Sequence, residues 1–332
     1  MARILIALLL LGAAGIAPAQ VRLRLATLAP KGTSFHQILL ALGEKWRQAP
    51  GGGVALTVYP DGVMGGEADV VRRIRVGQIH AGMLTAVGLS EIDPSVTAIQ
   101  NMPMVFRSLE EVEYTAEKLR PQLEKRFADK GFVPLFWGDA GWIRFFSKTP
   151  VERPADLQKL KQFAWAGDTK QADIMKAGGY KPVPLETADI LPGLQTGLIE
   201  AVAMPPFFAL ASQVDTQARH MLALNWAPLF GATVISKKTW DTIPEATRAA
   251  MLAAAQDAGQ QMKTRNRAES DQAVAAMQKR GLVLHPVAPQ IEAEWRKATE
   301  EYYPKIRGNL VPADLFDEVQ RLLQQYRSAP KK

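Results

Sequence analysis

The alternation of hydrophobic and polar positions predicts strands and helices in turn along most of the chain. VRLRLATLAP at 21–30 alternates for six residues and stops at a proline, which is typical of a strand that enters a loop. A helix over 35–49, the strand VALTVYP, the helix GEADVVRRIRVGQIH and the short buried strand AGMLTAV follow in order. This succession favours a mainly parallel sheet with helices on its faces.

The second half of the chain repeats this alternation. A polar helix over 109–130 and the strand FVPLFWGD lead into it, and the predicted strands there are WIRFFS, KQFAWAG, YKPVPL and LIEAVAMP, separated by helical segments. Two successive β/α runs of similar size indicate two α/β lobes.

The lobes are expected to exchange chain segments. Their predicted extents are residues 20–140 with 230–268 for lobe I, and residues 141–229 with 269–332 for lobe II. The chain would cross between them near Gly138–Gly141 and near Pro228–Gly231. Glycines at both crossings allow hinge bending.

Residues 244–280 are predicted to form one long helix. They are strong helix formers without an internal proline, and Gly259 is their one internal glycine. At 1.5 Å per residue the helix would extend about 50 Å, enough to cross both lobes. Its apolar positions are mostly alanine and keep no heptad, so a bridging strut is favoured over a coiled coil.

The N-terminal sequence MARILIALLLLGAAGIAPAQ is typical of a secretory signal peptide. Arg3 supplies the positive start, residues 4–11 are uninterrupted apolar residues, and A-P-A at 17–19 resembles a cleavage site. We expect cleavage after Ala19, which removes residues 1–19 and places the mature protein in the periplasm. The alternative is an N-terminal anchor.

Composition excludes several classes of site and partner. The sequence has no cysteine, so an exported protein of this size depends on a large core, and thiol nucleophiles, thiolate zinc sites and iron–sulfur clusters are excluded. The net charge is +7, but Lys and Arg are spread along the chain and mixed with Asp and Glu. A nucleic-acid surface concentrates basic residues on one element, so we expect no nucleic-acid partner.

The sequence shows no recognisable catalytic or metal-binding motif. The four histidines lie far apart without ligand spacing, and there is no nucleophile elbow, Walker A loop or dinucleotide-binding glycine pattern. We therefore expect neither an enzyme nor a bound cofactor or metal. Two alternatives stay open: a secreted enzyme with Asp139 or Asp189 in its cleft, and an interaction protein that docks through exposed aromatic rings.

Aromatic residues concentrate near the ends of predicted strands. They are Trp137, Trp142, Phe145, Phe146, Phe163, Trp165, Phe207 and Phe208. In open α/β sheets, ligands bind beyond the carboxyl ends of strands, in the crevice between lobes. We expect about three or four of these rings to line such a cleft, and the others to belong to the core.

The ordered motifs of the chain resemble the DctP-type solute-binding proteins of TRAP (tripartite ATP-independent periplasmic) transporters. They are ATLAPKGTSFHQILLALGEKW, YPDGVMGGEADVVRRIRVGQIHAGML, KTPVERPADLQKLKQFAWAG, GGYKPVPLETADILPGLQTGLIEAVAMPP and ISKKTWDTIPEATRAAML, and they cover nearly all of the mature chain. The resemblance implies a periplasmic-binding-protein type II-like α/β fold with two lobes, a central cleft and a long bridging helix. It also implies that the cleft closes on a small ligand, which is then delivered to integral membrane subunits of a TRAP transporter.

Three positions depart from the family pattern. The family has an arginine in the strand after a P-x-D-L turn, which binds the ligand carboxylate with two hydrogen bonds; counting from that turn places Phe163 there. Where many relatives carry a second arginine in a G-x-R pattern, this chain has Ile143, with Arg144 one residue later and so expected on the opposite face. In the family's E-N-P segment, Met204 replaces the amide.

We therefore expect the cleft to bind an apolar, aromatic or amphipathic molecule, because a carboxylate buried without a cation is strongly destabilised. The residues expected to contact it are Phe163, Trp165, Trp142, Ile143, Met204 and Phe207 for apolar area, with Tyr59 or Thr27 as a polar contact. The alternative is an ordinary organic-acid receptor. If the strand register differs by one residue, Arg144, or Lys161 on the other face, meets a ligand carboxylate.

Overall fold

The computed structural model describes residues 21–329, so the predicted signal peptide at residues 1–19 lies outside the described residues. Within this range nine strands form one sheet. They are β1 Val21–Thr27, β2 Val54–Tyr59, β3 Ala81–Thr85, β4 Phe132–Ser147, β5 Lys161–Trp165, β6 Lys181–Leu185, β7 Ala201–Met204, β8 His220–Ser236 and β9 Val283–His285.

Fourteen α-helices lie between and after these strands in the same range. They are α1 Ser34–Arg47, α2 Glu67–Arg75, α3 Ala86–Ser90, α4 Thr97–Gln100, α5 Leu109–Asp129, α6 Pro154–Lys159, α7 Thr169–Ala177, α8 Ile190–Thr196, α9 Pro206–Ala211, α10 Lys237–Asp241, α11 Glu245–Lys279, α12 Pro289–Glu300, α13 Tyr303–Ile306 and α14 Ala313–Ser328. None of the helices in residues 21–329 is long and apolar enough to cross a membrane.

The sheet is mixed, with the strand order β2-β1-β3-β8-β4-β7-β5-β6 and β9 beside β8. The pairs among β1, β2 and β3 are parallel, as are those among β5, β6 and β7. The predicted parallel pairing therefore holds within each outer group of strands. The central strands β4 and β8 are antiparallel to each other and to their outer neighbours β7 and β3.

The two long central strands join the lobes. The first part of β4 pairs with the end of β8 beside β3, whereas the last part of β4 pairs with the start of β8 and with β7. The two predicted crossing segments pair with each other, because Gly138 lies opposite Gly231 and Asp139 opposite Phe230. An irregularity between Asp139 and Trp142 bends the strand there without ending it.

The central strands differ from the sequence-based prediction in two ways. FVPLFWGD and WIRFFS are parts of one 16-residue strand, β4, because Gly141 adopts a positive φ of 78° and carries the chain through the irregularity. The 17-residue strand β8 was not predicted. It is buried on both faces over much of its length, so it lacks the alternation that indicates a strand.

The predicted long helix is confirmed as the 35-residue helix α11. Its first part packs in one core with α1, and its last part, through Ala273 and Met277, packs in another core with Phe146 and Val202. Trp46 of α1 donates a hydrogen bond to the carbonyl oxygen of Met251 at 3.0 Å. The helix therefore fastens strands of both lobes from one side.

Candidate functional site

A cavity of about 130 Å³ lies between the lobes, beyond the ends of β1, β3, β5 and β7. We call it the cleft cavity. Its apolar wall is formed by Ala29, Phe35, Met83, Leu84, Phe136, Phe163, Trp165, Met204, Phe208, Leu229, Phe230 and Met262. This position is where open α/β sheets bind ligands.

Phe163 and Trp165 stand at the end of β5 in this wall. They are two residues apart on one strand, so both rings leave the same face of the sheet, and their centroids lie 5.3 Å apart in an edge-on arrangement. Phe163 is 6% exposed. Trp165 is half-buried, and its Nε1 donates a hydrogen bond to the Thr187 hydroxyl at 3.3 Å.

The start of β5 is fixed by the P-A-D-L turn before it. The carboxylate of Asp156 accepts a hydrogen bond from the backbone amide of Arg153 at 3.1 Å, which closes the first turn of α6. The side chain of Gln162 donates to the carbonyl oxygen of Leu157 at 2.9 Å. These bonds set which residues of β5 face the cleft cavity.

The strand register reverses the expected placement of Ile143 and Arg144. Arg144 is the partner of Met204 in the β4–β7 pair, and the parallel register of β5 on β7 puts Phe163 on the same face as Met204. Arg144 therefore shares the face of Phe163 and Met204, and Ile143 lies on the other face. The physical reason lies in the irregularities of the β4–β8 pairing at Asp139–Trp142 and Ile143–Phe145, which a count along the sequence does not detect.

Arg144 is half-buried beside α11. Its Nη2 donates a hydrogen bond to Oδ1 of Asn225 at 3.4 Å, and its Nε is buried without a partner among residues 21–329. Burial lowers the pKa of the guanidinium, and the carboxylate of Asp271 opposes that shift. Arg144 is not among the residues that line the cleft cavity.

A second cavity, of about 140 Å³, lies on the opposite face of the sheet. Phe163, Trp165 and Ala203 line both cavities, so the two spaces adjoin at the ends of β5 and β7. Ile143 lines only the second cavity. The other residues of its wall include Phe145, Tyr180, Trp226, Tyr302, Ile306 and Leu310.

The remaining residues predicted to contact a ligand take different positions. Thr27 lines the cleft cavity, and its Oγ1 accepts a hydrogen bond from the amide of Ala29 at 3.1 Å. Phe207 packs on Phe35 and Phe208 behind the wall, with centroid separations of 5.8 and 5.2 Å. Trp142 and Tyr59, like Phe207, line neither cavity; they pack against the core of lobe I.

Two buried acids line the cleft cavity. Glu67 accepts hydrogen bonds from the Thr85 amide at 2.8 Å, the Thr85 hydroxyl at 2.6 Å and the Gly88 amide at 2.8 Å. Asp139 is 7% exposed, and its Oδ1 accepts from the Gly141 amide at 3.0 Å. Burial raises the pKa of both carboxyl groups, although these hydrogen bonds oppose the shift.

Lys263 of α11 brings a cation to the same wall, but its charge is already paired. Its Nζ lies 2.7 Å from Oε2 of Glu113 on α5, and Arg267 pairs with the same carboxylate. Lys161 is exposed, and its Nζ donates to the carbonyl oxygen of Gly197. Lys263 is therefore ion-paired where it lines the cleft cavity, and Lys161 does not line that cavity.

The groups considered for catalysis or metal binding do not assemble into one site. Asp139 lines the cleft cavity, whereas Asp189 is exposed and lies outside it. His220 and His285 come together through a hydrogen bond of 2.9 Å between Nδ1 and Nε2. No group of three or more metal-ligating side chains occurs between residues 21 and 329.

Some wall residues were not predicted. Phe35 lies on helix α1, and its sequence pattern indicates only an apolar helix face, whereas Phe208 on α9 belongs to the aromatic set from which cleft residues were expected. Leu84 and Leu229 belong to central strands whose residues read as core. Their contribution depends on how the lobes face each other, which local periodicity does not encode.

Comparison with known proteins identifies the family. Residues 25–309 match the DctP family, described as bacterial extracellular solute-binding protein, family 7. The chain is 22% identical over 261 residues to the C4-dicarboxylate-binding periplasmic protein DctP of Rhodobacter capsulatus, covering 77% of this chain and 76% of that protein. It is 26% identical over 213 residues to the 2,3-diketo-L-gulonate-binding periplasmic protein YiaO of Escherichia coli, covering 63% of each.

Solved structures share the fold at low sequence identity. A TRAP periplasmic solute-binding protein of Xanthobacter autotrophicus with bound β-D-galacturonate has a TM-score of 0.83 at 18% identity, covering 91% of this chain and 99% of that one. One of Sulfurospirillum deleyianum with bound succinate has a TM-score of 0.84 at 20% identity, covering 92% and 99%. The predicted resemblance and the two-lobed α/β fold are confirmed, and the chain belongs to DctP, the bacterial extracellular solute-binding protein family 7.

Proposed function

We propose that this chain is the periplasmic solute receptor of a TRAP transporter, and that its lobes close on a small molecule with an apolar body. The ligand would then pass to the membrane subunits of the transporter. The observation that carries the proposal is the apolar wall of the cleft cavity, which includes Met204 and Phe163, the residue that the resemblance places at the family's arginine position. The family match supports the receptor role, and the wall supports the ligand class.

The size of the cleft cavity suits a ligand that inserts one ring. A dry apolar cavity of about 150 Å³ in another protein binds benzene, and the cleft cavity measures about 130 Å³. Burying about 150 Å² of ligand surface against such a wall would contribute about 4 kcal/mol before the costs of association. A larger ligand would use the mouth of the cleft or the adjoining second cavity.

An organic acid is the second candidate, and two observations favour it. The two solved relatives named above hold galacturonate and succinate. Arg144 shares the sheet face of Phe163 and Met204 and forms no ion pair with residues 21–329. A rotation of its side chain toward the cleft would offer two parallel hydrogen bonds to a ligand carboxylate.

The deciding experiment is native mass spectrometry of protein purified from the periplasm, followed by extraction and identification of any retained molecule. For an apolar ligand we expect retention by wild type and Arg144→Ala, and loss in Phe163→Arg. Leu198→Arg is the matched control, because it adds the same charge at a residue that is 48% exposed and outside both cavities.

A carboxylate that is retained by wild type and lost in Arg144→Ala would instead establish the organic-acid receptor. Arg219→Ala is the control there, because this exposed arginine also lies outside both cavities. If Phe163→Arg and Leu198→Arg release the apolar molecule equally, its site is not the cleft cavity. Thermal unfolding of each variant separates loss of binding from loss of folding.

A further inference from the structure

Asp139 is a buried carboxyl group whose hydrogen-bonding capacity is only partly used. It lies on β4 where the lobes meet, is 7% exposed, and lines the cleft cavity. Its Oδ1 accepts one hydrogen bond, from Gly141, whereas its Oδ2 has no hydrogen-bond donor among residues 21–329. Oδ2 is not among the fully buried side-chain atoms that lack a partner, so it stays accessible from the cleft cavity to a hydrogen-bond donor.

The other ionisable groups in the wall are already occupied. The oxygens of Glu67 hold Thr85 and Gly88, and Lys263 is paired with Glu113. Asp139 is therefore the acidic group of this wall with free capacity for a ligand. Its position beside apolar side chains is typical of the few polar groups that orient a ligand in an apolar site.

We propose that Asp139 is the polar anchor of the cleft, and that the ligand presents an N–H or O–H group to its free carboxyl oxygen. This inference rests on the proposed function, and it narrows the ligand class to amphipathic molecules with an apolar body and a hydrogen-bond donor. A ligand carboxylate at the same place would be repelled by the ionised Asp139. A neutral hydroxyl group is also accommodated, because a carboxylate oxygen accepts a hydrogen bond from an O–H group as well as from an N–H group.

The test uses four probes that share a phenyl ring with a two-carbon chain and differ in the terminal group. They are 2-phenylethanol, 2-phenylethylamine, phenylacetate and ethylbenzene. Their dissociation constants are measured on the full mature protein by ligand-observed NMR. In wild type, the alcohol and the amine are expected to bind more tightly than ethylbenzene and phenylacetate. In Asp139→Asn, which keeps the acceptor for Gly141, the amine should lose about tenfold or more in affinity and ethylbenzene should be unchanged.

Asp189→Asn is the control variant, since it removes the same charge from an exposed residue outside the cavity wall. Equal affinity ratios of the four probes in wild type and Asp139→Asn would overturn the anchor. If Phe163→Arg still abolishes probe binding in that case, the proposed function survives without it. If no probe binds wild type and Phe163→Arg releases no co-purified molecule, the proposed function fails together with the anchor.

The pH dependence of probe binding to wild type tests the same anchor without a variant, so misfolding of Asp139→Asn does not affect it. The charged groups that face Asp139 are Lys263 and Arg267 from α11, Glu113 from α5, and Glu67 across the cavity. As pH rises through the titration of Asp139, amine binding should tighten, phenylacetate binding should weaken, and ethylbenzene binding should stay constant. Tighter phenylacetate binding with rising pH would overturn the anchor.

Discussion

The close approach of α11 to β4 makes Gly259 a position where one methyl group has a measurable cost. Gly259 lies within α11 and lines the cleft cavity opposite Phe136. A Cβ atom at this glycine would lie 2.8, 2.9 and 3.0 Å from Cδ2, Cγ and Cβ of Phe136. Gly259→Ala therefore forces the helix and the strand apart, because the clash includes the root of the Phe136 side chain and rotation of the ring does not relieve it.

Two effects of opposite sign set the size of the change. Replacing glycine by alanine within a helix stabilises the folded protein by about 1 kcal/mol. Overpacking a core costs about 1–3 kcal/mol. Since three atoms of Phe136 lie at or below 3.0 Å, we place the cost in the upper part of that range. The expected net effect of Gly259→Ala is a destabilisation of about 1–2 kcal/mol.

Urea denaturation followed by tryptophan fluorescence and circular dichroism measures this change through the midpoint. Gly43→Ala in α1 is the matched control, because its Cβ would meet Leu56 Cβ at 3.3 Å, a much milder contact. We expect Gly43→Ala to have a midpoint at or slightly above that of wild type. A Gly259→Ala midpoint equal to or above wild type would show that α11 is free to move away from β4, and would refute the reasoning.

Two further predictions concern the buried acids. Glu67→Ala leaves the backbone amides of Thr85 and Gly88 without their acceptor. Chemical denaturation should show a destabilisation of about 3 kcal/mol. A loss below about 0.5 kcal/mol would contradict the assigned hydrogen bonds. The pKa of Asp139 in the folded protein is raised above its unfolded value of 3.8, so the folded wild type binds this proton more tightly. Wild type therefore loses stability as pH rises from 3.8 to the folded-state pKa. Asp139→Asn does not titrate, so its stability relative to wild type should increase between pH 3.8 and the folded pKa; a pH-independent difference in unfolding free energy would contradict this.

The elements with strong local signals could be predicted from the sequence. The helix α11 was expected over 244–280 and is Glu245–Lys279, because a long run of helix formers ends at a glycine. Strand β5 was expected within KQFAWAG and is Lys161–Trp165, which fixed the shared direction of Phe163 and Trp165. In both cases the preference of the segment agrees with its place in the fold.

The central strands and the faces of their side chains could not be predicted in the same way. Strand β8 contains Pro228 and Gly231 and is buried on both sides, so its residues give neither an alternating pattern nor a clear end. The faces of Ile143 and Arg144 depend on irregularities in the pairing of β4 with β8, and such irregularities are set by contacts between distant segments. The depth of Asp139 in the cleft is likewise decided by how the two lobes meet.

The geometry of β5 explains why residue 163 lies in the wall of the cleft cavity. The P-A-D-L turn and the Gln162 hydrogen bond precede residue 163, and the pairing of Gln162 with Ala201 places residue 163 on the sheet face of Met204. An arginine there would supply a planar, charged donor pair, whereas Phe163 supplies an aromatic ring that is largely packed into the wall. The backbone that positions either side chain is the same, and the wall also holds Asp139, whose second carboxyl oxygen has no hydrogen-bond donor among residues 21–329. On the proposed function, a Phe163→Arg, Asp139→Asn double variant should move the preference of the cleft toward carboxylates more than either single change does.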